Sequence, residues 1–226
     1  MARFRRQYHA LSRAHSPRRT LNHPLHSACC TACRLWQQEC VCAHAPHLSI
    51  ATRLFVIIHS KEWRKTTNTG HLAGLAIQGS VLRRHGLLYQ TVSSEGIDAS
   101  SPSTLVLYPG RGAEPLTPTS IAALKRPITL LVPDGNWNQT QHMMRGVPML
   151  SQARPVRLPG PTLDIDCLRR NRRVDRMSTF EAIALALGVL EGGETESLLL
   201  RFFHKFLENG MHKSRRGARR PLATFS

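Results

Sequence analysis

The chain has 226 residues and a hydrophobic content of 41%, which suits one large domain or one domain with a small appendage. It has no apolar run near the roughly 18–20 residues of a membrane span and no apolar signal-peptide region at its N-terminus. We therefore expect a cytoplasmic protein without membrane contact, and the net charge of +17 favours polyanions as partners.

The charge is concentrated near the two ends of the chain. Residues 1–38 hold seven arginines and no acid, and residues 209–226 hold one lysine and four arginines, again without an acid. Such segments are typical of disordered arms that bind nucleic acid, whose phosphates supply most non-specific affinity. A solubility tail is the alternative, and residues 1–20, which are Arg-rich and acid-free, also fit a transit peptide.

Five of the six cysteines lie between residues 29 and 42, and without a secretory signal this clustering indicates metal or redox chemistry. Four of them have the spacing of a compact tetrahedral zinc site: Cys30, Cys33, Cys40 and Cys42. Cys29 competes with Cys30 as the first ligand, and Arg34 would ease thiol deprotonation. An iron–sulfur cluster and redox-active thiols remain alternatives. Cys167 is interpreted as a lone buried or loop thiol.

Two buried strands are predicted in the first half of the chain. RLFVIIH (residues 53–59) is an unbroken apolar run with β-branched residues, and TLVLYPG (residues 104–110) ends at a Pro-Gly turn. Between them, TTNTGHLAGLAIQGSVL indicates a polar turn that leads into a short helix. Backbone N–H groups at residues 68–70 could hold an anion such as a carboxylate there.

The middle of the chain repeats this alternation of strands and helices. TPTSIAALK has Thr117 as the predicted N-cap and Pro118 at the first helical position. ITLLVPDG (residues 128–135) predicts a third strand, NQTQHMMRG (residues 138–146) a helix, and PVRL (residues 155–158) a short fourth strand.

Two helices are predicted near the C-terminus. The first opens with the capping-box pattern Ser178-x-x-Glu181, and the second covers residues 194–210 and ends at a Gly210 C-cap. The apolar face of the second helix is formed by Leu199, Phe202, Phe203 and Phe206. Alternating strands and helices indicate an α/β domain with a mainly parallel sheet, whose ligands bind beyond the carboxyl ends of the strands.

Several polar or aromatic residues stand at those strand ends, and each has a structural alternative. Asp134 is either the N-cap of the next helix or a functional carboxylate, and Trp137 either fills the core or lines a site. His59 is either a structural histidine or a catalyst. The Tyr-Pro-Gly turn at residues 108–110 can be an ordinary β-turn, and the basic run at residues 168–176 is either a solvated loop or a phosphate grip.

Taken in order, C-x2-C, C-x-C, H-x2-E with TNTG, LYP, D-G-x-W and STxEA resemble the DTW-domain family, whose bacterial members are tRNA-uridine aminocarboxypropyltransferases. The resemblance covers residues 30–191. His59 and Glu62 match the H-x2-E pattern, and Asp134 and Trp137 match the D-x-T-W element. Asn136 stands where the family usually has threonine, and residues 138–143 depart from the family's helix sequence.

The family is similar in fold to SPOUT-type RNA methyltransferases, which implies an α/β fold with a knotted, mainly parallel sheet and a small N-terminal zinc-binding segment. The resemblance implies S-adenosylmethionine as co-substrate, bound among residues 107–111, 132–137 and 177–181, with structural Zn²⁺. Asp134 is then the expected general base, and Trp137 would stack on a nucleobase of the RNA or cover the sulfonium. The expected cofactor-binding residues are Thr69, Leu107, Tyr108, Pro109, Gly110, Pro133, Ser178, Thr179 and Glu181.

The implied reaction moves the 3-amino-3-carboxypropyl group to N3 of a uridine in tRNA and releases methylthioadenosine. An RNA methyltransferase, a non-catalytic zinc-containing RNA-binding protein and a transferase acting on ribosomal RNA are the alternatives. The expected organisation is a disordered basic arm (residues 1–25), a zinc-binding segment (26–48), a catalytic domain (49–209) and a basic tail (210–226). The resemblance implies tRNA as a partner, whereas the sequence itself indicates no protein partner and leaves the oligomeric state open.

Overall fold

The computed structural model describes residues 29–87, 91–159 and 177–217, with side chains as far as residue 210. Its strands are β1 (Arg53–His59), β2 (Val81–His85), β3 (Thr104–Leu107), β4 (Glu114–Pro115), β5 (Thr129–Asp134) and β6 (Arg154–Arg157). Its α-helices are α1 (Ala73–Ala76), α2 (Pro118–Ile121), α3 (Trp137–Gly146), α4 (Pro148–Gln152), α5 (Thr179–Glu191) and α6 (Gly193–Gly217). Short 3-10 turns cover Gln37–Glu39, Cys42–His44 and Gly70–Leu72.

The strands form one six-stranded sheet in the order β2-β1-β5-β3-β6-β4. Every pairing within it is parallel, which confirms the predicted α/β class and mainly parallel sheet. The predicted knot depends on the path of residues 160–176, which lie outside the described residues. The same holds for Cys167, the basic run at residues 168–176 and the predicted arm at residues 1–25.

Alternate residues of the central strands pack against helices on opposite faces of the sheet. On the first face, Leu54, Val56 and Ile58 of β1 join a core that includes α1, α5, α6 and the cysteine clip (residues 29–45). On the second face, Phe55 and Ile57 pack against α3 and α4. This period of two along β1 gives a sheet covered on both sides, as parallel sheets are.

Helices α5 and α6 cover the first face of the sheet. The Ser178 hydroxyl accepts from the Glu181 N–H at 3.2 Å, and the Glu181 carboxylate accepts from the Ser178 N–H at 3.3 Å, so the predicted capping box is confirmed. The predicted apolar face of α6 is also confirmed, since its four large side chains are at most 5% exposed: Leu199, Phe202, Phe203 and Phe206.

The predicted C-cap at Gly210 is wrong, because α6 continues to Gly217. Gly210 lacks the positive φ of a left-handed C-cap. It instead packs against the cysteine clip, and a Cβ at Gly210 would lie 3.6 Å from Leu35 Cδ2. One residue earlier, Asn209 donates to the Glu39 carbonyl at 3.0 Å. The first part of the predicted basic tail is therefore helical.

The ends of β1 and β5 mark the point where the chain leaves the sheet in opposite directions. From β1 the chain passes to β2 at one edge, whereas from β5 it passes toward β6 on the other side. Parallel sheets bind ligands at such a switch point, beyond the carboxyl ends of the strands. Asp134 is the last residue of β5 and is paired in register with Ile58 of β1, which places its carboxylate there. Within the described ranges, no helix is long and apolar enough to cross a bilayer.

Candidate active site and cysteine clip

The four predicted metal ligands come together at the N-terminal edge of the fold. Their sulfur atoms all lie within 4.8 Å of one another: Cys30, Cys33, Cys40 and Cys42. The Cys30–Cys42 sulfurs are 3.6 Å apart and the Cys33–Cys40 sulfurs 3.7 Å apart. A tetrahedron with Zn–S bonds of about 2.3 Å has edges of about 3.8 Å, so the sulfur positions fit zinc. Cys29 lies outside this group, which favours Cys30 as the first ligand.

A tight turn presents the first two sulfurs. The Arg34 N–H donates to the Cys30 carbonyl at 2.9 Å, and Arg34 adopts a φ of 65° that reverses the chain after Cys33. Burial raises the pKa of the Cys30 thiol, but backbone N–H groups of Cys33 and Ala32 oppose it and bring the value down to about 7. Burial and the neighbouring thiols raise the pKa of Cys42. A cation at the centre would stabilise the four thiolates together.

Asp134 is held rigidly at the carboxyl end of β5. It is only 5% exposed, and its two oxygens accept from different elements. Oδ1 accepts from the Thr179 hydroxyl at 2.6 Å, and Oδ2 accepts from the Asn68 amide. Burial raises the pKa of Asp134, and the hydrogen bonds from Thr179 and Asn68 only partly oppose this. A raised pKa moves a carboxylate toward the range in which it can exchange protons near neutrality.

The Asn68-Thr69-Gly70 segment joins Asp134 to the start of α5. The Thr69 hydroxyl accepts from the Phe180 N–H at 3.2 Å, so it satisfies one free N–H in the first turn of α5. Gly70 lies so close to the carboxylate that an added Cβ would be 3.0 Å from Asp134 Cγ. We predicted that this segment holds an anion. In the structure it positions the Asp134 carboxylate, because Asn68 donates to that carboxylate and Gly70 has no side chain that would clash with it.

His71 connects this segment to the cysteine clip, by which we mean residues 29–45. Its Nδ1 lies 2.7 Å from the Asn68 carbonyl oxygen and its Nε2 lies 3.3 Å from the Cys33 carbonyl oxygen. Burial, helped by the Arg34 cation, lowers the pKa of His71 to about 4, so the ring is neutral at neutral pH. The shorter distance assigns its one N–H to the bond with Asn68, the residue that donates to Asp134.

A cavity of about 240 Å³ opens above Asp134. Its lining brings two carboxylates together with the start of α5 and the loop after β5: Glu62, Thr67, Asn68, Thr69, Asp134, Gly135, Asn136, Met177, Ser178 and Thr179. Three of the predicted cofactor-binding residues, Thr69, Ser178 and Thr179, are among them. Glu62 is paired with Lys65 at 2.7 Å, so the Asp134 carboxylate is the group that favours a ligand with positive charge.

The DTW domain family matches residues 27–210, most of the chain. The protein belongs to the DTW domain family. Three relatives share the name "tRNA-uridine aminocarboxypropyltransferase 2". The Drosophila melanogaster protein is 27% identical over 199 residues, a match that covers 80% of this chain and 76% of that protein. The Macaca fascicularis and Mus musculus proteins are 26% identical, and each match covers 72% of this chain but only 56% of the relative. No solved structure matches the chain.

The departure from the DTW motif at Asn136 has a structural explanation. Asn136 is the N-cap of α3, where its side chain accepts from the Gln139 N–H at 3.0 Å, and the Gln139 side chain accepts from the Asn136 N–H at 2.7 Å. Threonine and asparagine are both favourable N-caps, so the change preserves the cap of the helix. The cap at this position is therefore Asn136, and Asp134 is left to point into the cavity.

The other predicted cofactor residues do not line this cavity within the described part of the chain. Leu107 and Pro133 are buried strand residues, and Glu181 closes the capping box of α5. Tyr108 stacks on Trp137 with ring centroids 5.7 Å apart, and Trp137 is 37% exposed. Pro109 and Gly110 follow in the turn after β3, one exposed and one half-buried. The sequence grouped these loops, and in the described structure the stacked Tyr108 and Trp137 are not among the residues that line the Asp134 cavity.

Sequence reasoning missed three features of this region. Asn68 and His71 position Asp134, and a second cavity contains His142. A motif shows which residue types recur but not which of them touch. The one available signal was that Asn68 lies in the TNTG motif, which did not show that it donates to Asp134.

Proposed function

We propose that this protein is a tRNA-uridine aminocarboxypropyltransferase of the cytoplasm. Membership of the DTW domain family and the shared name of three relatives support this activity. The single observation that carries it is the buried Asp134 carboxylate, fixed by Thr179 and Asn68 at the floor of an open cavity. Such a carboxylate has the position and the raised pKa of a general base.

The chemistry of the cavity fits S-adenosylmethionine, whose sulfonium is a cation. Asp134 supplies negative charge, whereas Glu62 is already paired with Lys65. The Thr69 and Ser178 side chains already satisfy the N–H groups of Phe180 and Glu181. When bound, the co-substrate would supply the 3-amino-3-carboxypropyl group. A bond forms between uridine N3 and the carbon of this group that is attached to sulfur, the carbon–sulfur bond breaks, and methylthioadenosine leaves. In this proposal Asp134 accepts the N3 proton, and Asn68 and Thr179 hold its oxygens toward the cavity.

Trp137 has a different position from Asp134 in this proposal. It begins α3, is partly exposed and already stacks on Tyr108. The outer face of this pair offers a flat aromatic surface to an unstacked base, which is how proteins bind single-stranded RNA. Trp137 would thereby orient the uridine.

The proposed metal is structural zinc. The donor set of four thiolates, the sulfur separations and the half-buried position all suit a closed tetrahedral site with no open coordination position. The clip would act through the carbonyl of Cys33, which contacts His71 and so supports Asn68.

The deciding experiment identifies both products of the reaction. Purified protein is incubated with S-adenosylmethionine and unmodified tRNA, and the small molecules and digested nucleosides are analysed by mass spectrometry. The proposal expects methylthioadenosine in equal amount to a uridine that has gained the aminocarboxypropyl mass, with neither product from Asp134→Ala. S-adenosylhomocysteine and a methylated nucleoside would identify a methyltransferase instead. Failure to bind S-adenosylmethionine would favour a non-catalytic RNA-binding protein, and modification of ribosomal RNA alone would reassign the substrate.

A further inference from the structure

A second cavity, of about 510 Å³, opens at the same edge of the sheet but on its other face. The side chain of His59 follows Phe55 and Ile57 onto the face covered by α3, whereas Asp134 follows Leu130 and Val132 onto the face covered by α5. The loop after β5 separates the two cavities, and Asn136 lines both. A volume of this size is within the range of sites for small molecules and single nucleotides.

The two cavities differ in charge. The first contains the carboxylates of Glu62 and Asp134. Among the described residues, the lining of the second contains no aspartate or glutamate and does contain Lys61, His59 and His142. Lys61 has no ion-pair partner in the described part of the chain, whereas the nearby Lys65 is paired with Glu62 at 2.7 Å. Lys61 therefore offers the second cavity one cation without an ion-pair partner among the described residues, which suits a phosphate.

Hydrogen bonding determines which nitrogen of His59 faces the ligand. The Lys61 N–H donates to His59 Nδ1 at 3.2 Å, so the neutral ring carries its proton on Nε2. Burial and the neighbouring His85 lower the pKa of His59 and keep it neutral. A Cβ at Gly86 would lie 3.5 Å from that Nε2, and Gly86 has a φ of +84° that disfavours any side chain. Gly86 thus leaves space beside an N–H donor.

We propose that the second cavity binds a nucleotide of the RNA strand that flanks the target uridine. Lys61 and His142, both exposed at its mouth, contact the phosphate, and His59 Nε2–H donates to an oxygen of the same nucleotide. The inference rests on the proposed function, because it treats the Asp134 cavity as the site of the cofactor. The flanking nucleotide and the co-substrate would then lie on opposite sides of the loop after β5, which lines both cavities.

The test separates RNA affinity from cofactor affinity. Lys61→Ala, His142→Ala and the double variant are compared with wild type for tRNA binding at several salt concentrations and for the KM of each substrate. We expect each single change to raise the KM for tRNA about 5- to 10-fold, with kcat and the KM for S-adenosylmethionine within about twofold of wild type. Loss of the Lys61 charge in Lys61→Ala and in the double variant also lowers the slope of log affinity against log salt by about 0.7 to 0.9.

Matched controls remove the same side chains elsewhere. The controls are Lys125→Ala and His204→Ala. Lys125 is exposed just before β5, at the amino ends of the strands, and His204 is exposed on α6. Both should leave tRNA binding unchanged, and Lys61→Arg should restore most of it because the charge is retained. An unchanged Tm in thermal unfolding shows that each variant is folded, and Lys61→Gln replaces Lys61→Ala if that variant fails this check.

The outcomes distinguish this inference from the proposed function. Wild-type tRNA affinity and salt slope in the double variant would overturn the inference, whether or not the enzyme is active. So would a rise in the KM for S-adenosylmethionine alone, which would assign the cavity to the cofactor. If wild type makes no transfer product, the proposed function fails, but the binding measurements on the same variants still decide whether the second cavity holds RNA.

Discussion

Asp134 combines a position at a ligand-binding edge with an environment that disfavours its charge. The carboxylate accepts two hydrogen bonds, yet burial still raises its pKa. A purely structural N-cap would not need this environment, and the cap of α3 is supplied by Asn136. The carboxylate is therefore retained at a cost in stability, as is common for functional groups.

The variant Asp134→Asn should separate function from stability. An asparagine fits the same space, since its oxygen can accept from Asn68 and its amide can donate to the Thr179 hydroxyl. We expect kcat for uridine modification to fall at least about 100-fold, because the base is lost. We also expect the variant to be at least as stable as wild type at neutral pH, as measured by Tm in thermal unfolding.

The pH dependence of this comparison follows from the direction of the shift. Because the folded-state pKa of Asp134 is raised, its contribution to stability is fully present below the unfolded-state pKa and is lost as pH rises through the folded-state pKa. Wild type should therefore lose stability relative to Asp134→Asn as pH rises from acid to neutral. A constant difference in Tm across that range would contradict the raised pKa, and an active variant would contradict the assignment of the base.

At the scale of elements, patterns with a strong local cause were predictable. Apolar runs predicted β1, β3 and β5, and Ser178-x-x-Glu181 predicted the start of α5, because each of these patterns is complete within a few consecutive residues. Strand β2 was missed because its residues are all only half-buried and two are arginines. The end of α6 was misplaced because the support for Gly210 comes from Leu35, far away in sequence.

The candidate site was predictable to the same extent. The spacing of the cysteines indicated the four sulfur ligands, which the structure brings together, and the resemblance indicated Asp134, which lines the first cavity. It did not indicate that Asn68 donates to Asp134 or that His71 spans from Asn68 to Cys33, since these contacts depend on how three separate segments pack. Nor did it separate Trp137 from Asp134, three residues apart but on different elements.

The cysteine clip leads to a prediction about both metal content and stability. Cys40→Ser should abolish binding of about one zinc per chain and lower the unfolding free energy by about 3 kcal/mol or more, which for a chain of this length lowers Tm by about 6–12 °C. The reason is that the buried Cys33, Leu35 and Val41 belong both to the clip and to the main core, so loss of the metal also disturbs the core. Metal analysis and thermal unfolding measure the two effects.

Cys29→Ser is the matched control, since Cys29 is in the same segment but outside the four-sulfur group. It should retain the metal and the wild-type Tm. Bound iron with visible absorption would indicate an iron–sulfur cluster in place of the proposed zinc. A wild-type protein without metal, whose cysteines can be oxidised and reduced, would indicate redox-active thiols. Loss of zinc from Cys29→Ser with retention by Cys30→Ser would reassign the first ligand.

For the whole molecule, charge is arranged in a way that suits a polyanionic substrate and a cationic co-substrate. The acidic cavity at Asp134 is small and lies within a strongly basic chain, so local and overall fields have opposite signs. The overall field would attract RNA from a distance, whereas the local carboxylates act only on a group already bound. Most of the overall charge lies in the two terminal segments, much of it outside the described residues.

The last prediction concerns those segments. Removing residues 1–25 and 218–226 deletes eight arginines, six and two respectively, but leaves α6 intact because it ends at Gly217. If about half of these arginines contact phosphates, the slope of log affinity for tRNA against log salt should fall by about 3. The identity of the product and kcat at saturating tRNA should not change, because the Asp134 cavity is untouched. A full-length variant with the eight arginines replaced by glutamine separates loss of charge from loss of chain and should behave like the truncated protein. Unchanged tRNA affinity in both variants, with reduced solubility, would instead identify the segments as solubility tails, since a nucleic-acid arm must act through its charge.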